Sequence, residues 1–148
     1  MAGYLVELVA LDDGGDAQQA EAAAAALVAD PDIVVVLGHW LPETTAAAAA
    51  VYEVEAMPFL ALGYPPLVEV EPGSLPDSFL SDYEQVTPFD ETAGSHAGAT
   101  YDGVWLALDA LRVANTSGSV TRQTVASALE TLEYTGLTGL VYQPEIRP

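Results

Sequence analysis

Residues 33–64 read IVVVLGHWLPETTAAAAAVYEVEAMPFLALGY. The β-branched run 33–37 has no polar face, as a central strand covered on both sides requires. Gly38 and a short turn follow, then an alanine-rich stretch, then a second apolar run at 59–62. Alanine is the strongest helix former. Strand, turn, helix and strand in this order predict the βαβ unit of a parallel sheet. Ligands of such sheets sit at the carboxyl ends of the strands, against helix N-termini. Residues 38–45 (GHWLPETT) are therefore the first candidate site.

Working outward, residues 4–11 (YLVELVAL) predict a strand broken only by Glu7. Asp12-Asp13-Gly14-Gly15-Asp16 is a turn by composition, and Asp16 suits the N-cap of a helix over 17–29. Asp30-Pro31 ends that helix, because the residue before proline avoids the helical region. The second helix is predicted over 43–55, with Pro42 and Glu43 at its start. Residues 67–76 read as a short edge strand or a connector, 77–84 as a short helix capped by Asp77, and 85–95 as a loop. An amphipathic helix is predicted over 100–114, with Val104, Leu108 and Leu111 inward beside Trp105 and Ala107. A further helix is predicted over 120–132, then a glycine-bearing turn and a last short strand at 140–142. The expectation is one α/β domain over 1–148, a three-layer αβα fold with a mostly parallel sheet. It divides into a βαβαβ part (1–64), a connector (65–98) and a C-terminal helix pair with a short strand (99–148).

Composition narrows the chemistry. The chain has 148 residues, 22 of them acidic, against 3 arginines and no lysine, for a net charge of -19. Nucleic acid and anionic membrane surfaces are disfavoured partners, since both need a basic footprint. The acidity reads as a solvated surface suited to high salt, where screening removes self-repulsion. With no cysteine, disulfides and zinc–thiolate sites are excluded. No apolar run reaches the ~20 residues of a membrane span. Residues 1–11 lack the basic segment of a secretory signal.

Three strings resemble a known family. Residues 6–16 (VELVALDDGGD), leading into a helix, are the first. Residues 33–63 are the second, with Gly38, Thr44-Thr45, Tyr52-Glu53 and Pro58. Residues 99–143 are the third, with Tyr101-Asp102-Gly103-Val104 at the start and Gly136-x-x-Gly139-x-Val141 at the end. In order and spacing they resemble the type 1 periplasmic solute-binding proteins of ABC transporters, of the leucine/isoleucine/valine-binding kind. The resemblance covers about two thirds of the chain and corresponds to most of one lobe. It lacks the family's first strand and helix and its second lobe. It implies a non-enzymatic receptor for an amino acid or small carboxylate, periplasmic or extracellular, with transporter membrane subunits as possible partners and no cofactor. A chain carrying only part of the lobe has apolar surface and sheet edge to cover, so a homo-oligomer, with exchange of elements between copies, is expected.

For each candidate residue two readings stand. Thr44 and Thr45 either grip a ligand carboxylate, as the resemblance implies, or cap the helix; Glu43 opposes an anion there and Pro42 removes a donor. Gly63 and Tyr64 either face the ligand's ammonium group or simply end a strand. Trp40 either stacks on a ligand or fills an interface. His39 can titrate near neutral pH, yet no Ser, Cys or second His is arranged with it for catalysis. The aspartates of 12–16 read as caps in preference to a calcium site, because the closing glutamate of an EF-hand is missing. Tyr101-Asp102 reads as a helix cap with a buried ring, and His96 as a surface residue. The expectation is no catalytic set and no metal site. The alternative function is an interaction or oligomerisation module that has lost ligand binding.

Overall fold

A computed structural model describes residues 5–62, 71–87, 91–139 and 141–142. Gly63, Tyr64, residues 67–70 of the expected edge strand and Leu140 lie outside these.

Helix α1 (Ala17–Ala29) begins where Asp16 accepts hydrogen bonds from the amides of Gln18 and Gln19. Strand β1 (Val36–Gly38) follows, then α2 (Pro42–Val54) and β2 (Phe59–Ala61). β1 and β2 pair in parallel, Val36 opposite Phe59 and Leu37 opposite Leu60, the βαβ unit expected from residues 33–64. α2 closes in a Schellman arrangement. The Met57 amide reaches the Tyr52 carbonyl at 3.0 Å, and Ala56 takes the left-handed position at φ 50.

Strand alternation sends successive side chains to opposite faces. Val36 and Phe59 pack with Ala24, Ala48, Tyr52 and Met57 beneath α1 and α2. Leu60 and Leu37 pack on the other face with Leu106, Ala107, Ala110 and Leu111 of α4 (Ala97–Thr116) and Val125, Ala128 and Leu129 of α5 (Arg122–Thr131). Each fully buried Val or Leu contributes about 1.5–3 kcal/mol. The alanines matter because their short side chains let α1 and α2 approach closely, Ala20, Ala24 and Ala48 being wholly buried.

α4 is longer than the expected 100–114, and of the expected inward row Ala107 and Leu111 are buried. Val104 is exposed, and the buried row runs through Gly103, Leu106, Ala107, Ala110, Leu111 and Ala114. Small residues face the sheet because the helix lies close to it; a Cβ at Gly103 would meet the Leu62 side chain at 3.2 Å. Apolar periodicity alone favoured the larger side chains.

α5 starts from a capping box in which Thr121 and Thr124 bond each other's backbone amides. Arg122, in its first turn, donates to the carbonyls of Ile33 (2.9 Å), Val28 (2.8 Å) and Asp30 (2.6 Å). A cation thus closes the carboxyl end of α1, where the helix dipole is negative.

Between β2 and α4, a single 3-10 turn (Pro72–Ser74) precedes α3 (Asp77–Val86). Asp77 lies in α3's first turn but makes no side-chain cap. Phe79 of α3 rests against Tyr101 of α4, centroids 5.2 Å apart. After α5, β3 (Tyr134–Thr135) pairs antiparallel with β4 (Val141–Tyr142).

One expected strand is absent. Residues 5–11 adopt no strand pairing, and their large apolar side chains stand in solvent, Leu8 at 87 % exposure. A strand exists by virtue of its hydrogen-bonding neighbour, and among the described residues this run has none.

Candidate functional site

The turn after residues 5–11 is built by its own carboxylates. Asp12 accepts from the Gly14 amide at 2.8 Å and Asp13 from the Gly15 amide at 2.9 Å. Gly14 (φ 58) and Gly15 (φ 67) hold successive left-handed conformations, which a Cβ would strain. With Asp16 capping α1, the three aspartates serve the turn and the helix.

Asp13 also reaches across to the end of β1. Its Oδ2 lies 2.6 Å from Nδ1 of His39, while His39 Nε2 lies 3.2 Å from the Tyr52 hydroxyl. His39 is 8 % exposed and packs edge-on against Phe59. The Gly15 amide, the His39 ring and, more weakly, the Thr44 hydroxyl hold the Asp13 carboxyl below the usual range. Asp13 is thus an acceptor, so Nδ1 carries a proton, and in the neutral imidazole Nε2 accepts from the Tyr52 hydroxyl. Burial first, then the charge of Asp13, pushes Tyr52 up to about 12. A tyrosine held protonated beside an imidazole with both nitrogens engaged orients the β1–α2 connection; it offers no exposed base or nucleophile.

Thr44 and Thr45 are buried, and both hydroxyls are occupied. Thr44 donates to the Leu41 carbonyl (3.1 Å) and Thr45 to the His39 carbonyl (3.3 Å), tying the first turn of α2 to the chain before it. Trp40 points outward, 47 % exposed, and its ring lies 5.3 Å from that of His96, which is half-buried. His39, Trp40, Thr44 and Thr45 therefore gather at the carboxyl end of β1, joined by Asp13 and His96; Gly63 and Tyr64 fall outside the described residues.

Asp102 forms a second buried cluster. It sits beyond the first turn of α4, and its carboxylate accepts from the Leu137 amide (2.7 Å), the Thr138 amide (3.1 Å) and the Thr138 hydroxyl (3.0 Å). It clamps the turn between β3 and β4 and does not cap its own helix; Tyr101, expected to be buried, is 41 % exposed. The turn passes so near that a Cβ at Gly136 would stand 2.1 Å from Asp102 Oδ2.

A groove of about 440 Å³ between α1 and α2 is lined by Glu21, Ala47, Ala50, Val51, Val54 and Glu55, none of them a candidate residue. Among the described residues no group of three or more His, Asp or Glu side chains converges as metal ligands, and no helix is long and apolar enough to cross a membrane. Comparison with known proteins finds no matching family model, no matching curated protein and no matching solved structure.

Proposed function

We propose that this chain is a non-catalytic assembly module, which joins other protein through its apolar N-terminal segment. The observation that carries this reading is the exposure of Leu5, Val6, Leu8, Val9 and Leu11 along a run with no backbone partner among the described residues. Exposed apolar side chains gathered in this way mark an interaction site, and a run whose backbone groups lack partners is open to pairing. The helices on both faces of the β1–β2 pair support a three-layer αβα reading of the fold. Light scattering across a concentration series tests the proposal: a mass above that of one chain supports it, and one chain's mass throughout counts against it.

A second reading is favoured by Trp40. An exposed indole beside the N-terminus of α2 is a stacking surface for a small solute, an amino acid or small carboxylate, held by backbone amides since the Thr44 and Thr45 hydroxyls are already bonded. In that reading the protein is a periplasmic or extracellular solute-binding component that works with transporter membrane subunits, and Gly63 and Tyr64 complete the site. Thermal melting against amino acids and small carboxylates tests it. A ligand at ~100 times its Kd stabilises by about 2.7 kcal/mol, a shift of several degrees for a domain of this size.

A further inference from the structure

We propose that residues 5–11 are an exchange arm whose partner is a second copy of this chain, each arm lying on the open edge of the other copy's β1. This rests on the assembly reading and adds the partner and the contact.

The open edge follows from hydrogen bonding. The Val36 amide donates to the Pro58 carbonyl and the Gly38 carbonyl accepts from the Leu62 amide, both at 2.9 Å, so these residues face β2. Alternation turns the backbone groups of Val35 and Leu37 to the other side. There Arg122 closes the Ile33 carbonyl, and among the described residues no backbone bond reaches Val35 or Leu37. One chain thus carries an exposed apolar run with no backbone partner among the described residues and an unpaired strand edge. A second copy supplies the complement of both in one two-fold contact.

The arm's anchored end is also defined. Its carboxyl end is fixed by the Asp13–His39 contact and by the Asp12 and Asp13 bonds to Gly14 and Gly15. Residues 5–11, when extended, span about 23 Å, enough to cover the run 33–37, about 16 Å long when extended. Charge selects the surface. Residues 5–11 contain only Glu7 and residues 33–37 no charge, in a chain of net charge -19. The two runs that meet are among the few on this molecule that bring no dense like charge into contact. The remaining long-range repulsion between copies weakens with salt. Association therefore strengthens at high salt, opposite to the capture of a cationic partner.

The natural chain has no cysteine, so single thiols report cleanly. Leu8→Cys chains are mixed with Val35→Cys chains and treated with a short bis-maleimide, while Leu8→Asp is followed by sedimentation. Leu8 is exposed, so Leu8→Asp leaves the fold intact by circular dichroism. The expected result is an inter-chain 8–35 product and self-association weakened by Leu8→Asp at least about tenfold, as loss of a buried leucine on each copy implies. A dimer that persists in Leu8→Asp and yields no 8–35 product overturns the exchange arm while leaving the assembly reading. A monomer at every concentration and salt overturns both.

Discussion

His39 and Asp13, 26 residues apart in sequence, meet at 2.6 Å between Nδ1 and Oδ2. Each stands two residues beyond an apolar run, Asp13 after residues 5–11 and His39 after residues 33–37, so the contact brings the carboxyl ends of the two runs together. Asp13 is held below its ordinary pKa by the Gly15 amide first and His39 second. A lowered folded pKa contributes stability that is present above the unfolded value of 3.8 and lost as pH falls through the lower folded value. Asp13→Asn is expected to cost about 1–2 kcal/mol at neutral pH, since bonds to a charged group are lost. Urea melts of both proteins from pH 7 downward check this: the difference should shrink below pH 3.8.

Tyr52 gives the opposite dependence. Its folded value, near 12 against 10.0 unfolded, favours the folded state fully below pH 10 and withdraws that support as pH rises toward 12. Tyr134, raised to about 12 chiefly by burial and then by Asp102, adds to the same loss. Tyr52→Phe should cost about 1 kcal/mol at neutral pH through the lost bond to His39. It should also flatten the alkaline decline. Equilibrium unfolding between pH 9 and pH 12, with tyrosinate absorbance followed in parallel, is the measurement.

Much of this was legible in local sequence. Asp16 and Asp30-Pro31 marked the ends of α1, and the run 33–64 gave the parallel pair, because caps, prolines and apolar runs act within a few residues. The long-range contacts were not legible. Nothing near His39 names Asp13 or Tyr52 as its partners, and nothing near Asp102 names the turn at 136–138. Such pairs exist only once strands and helices are laid side by side. Residues 5–11 carried a strand's composition, but strand formation depends on a neighbour that composition does not contain. Of the candidate site, Trp40 stood out as an exposed ring, whereas the commitment of the Thr44 and Thr45 hydroxyls depended on where the preceding carbonyls turned.

The partners of Arg122 are beyond local sequence for the same reason, and they make a sharp prediction. Its guanidinium serves three carbonyls at once. Arg122→Lys keeps the charge but not the fork, so it should recover only part of the loss seen in Arg122→Ala, about 2–3 kcal/mol. Thermal melts of the two variants decide it.

Asp102 and Gly136 form a pair that tolerates little. Asp102→Ala strands the Leu137 and Thr138 amides and should cost about 3 kcal/mol. Gly136→Ala forces a methyl group onto the carboxylate and should destabilise comparably. Denaturant unfolding of both, with an unchanged m-value, would place the effect in the folded state.

Ala56 runs the other way. It occupies the left-handed position that closes α2, where glycine is the usual residue. Ala56→Gly should stabilise by about 0.5–1 kcal/mol, the left-handed strain exceeding the added entropy of the unfolded chain. A higher melting temperature is the expected readout.

Assembly through residues 5–11 is tested by sedimentation equilibrium of the unmodified protein at micromolar concentration, at about 0.1 M and about 1 M salt, where the screening length falls from ~10 Å to ~3 Å. Assembly through an uncharged arm predicts a species of twice the chain mass of 15.4 kDa, more populated at the higher salt. A single species at the chain mass under both conditions would contradict it.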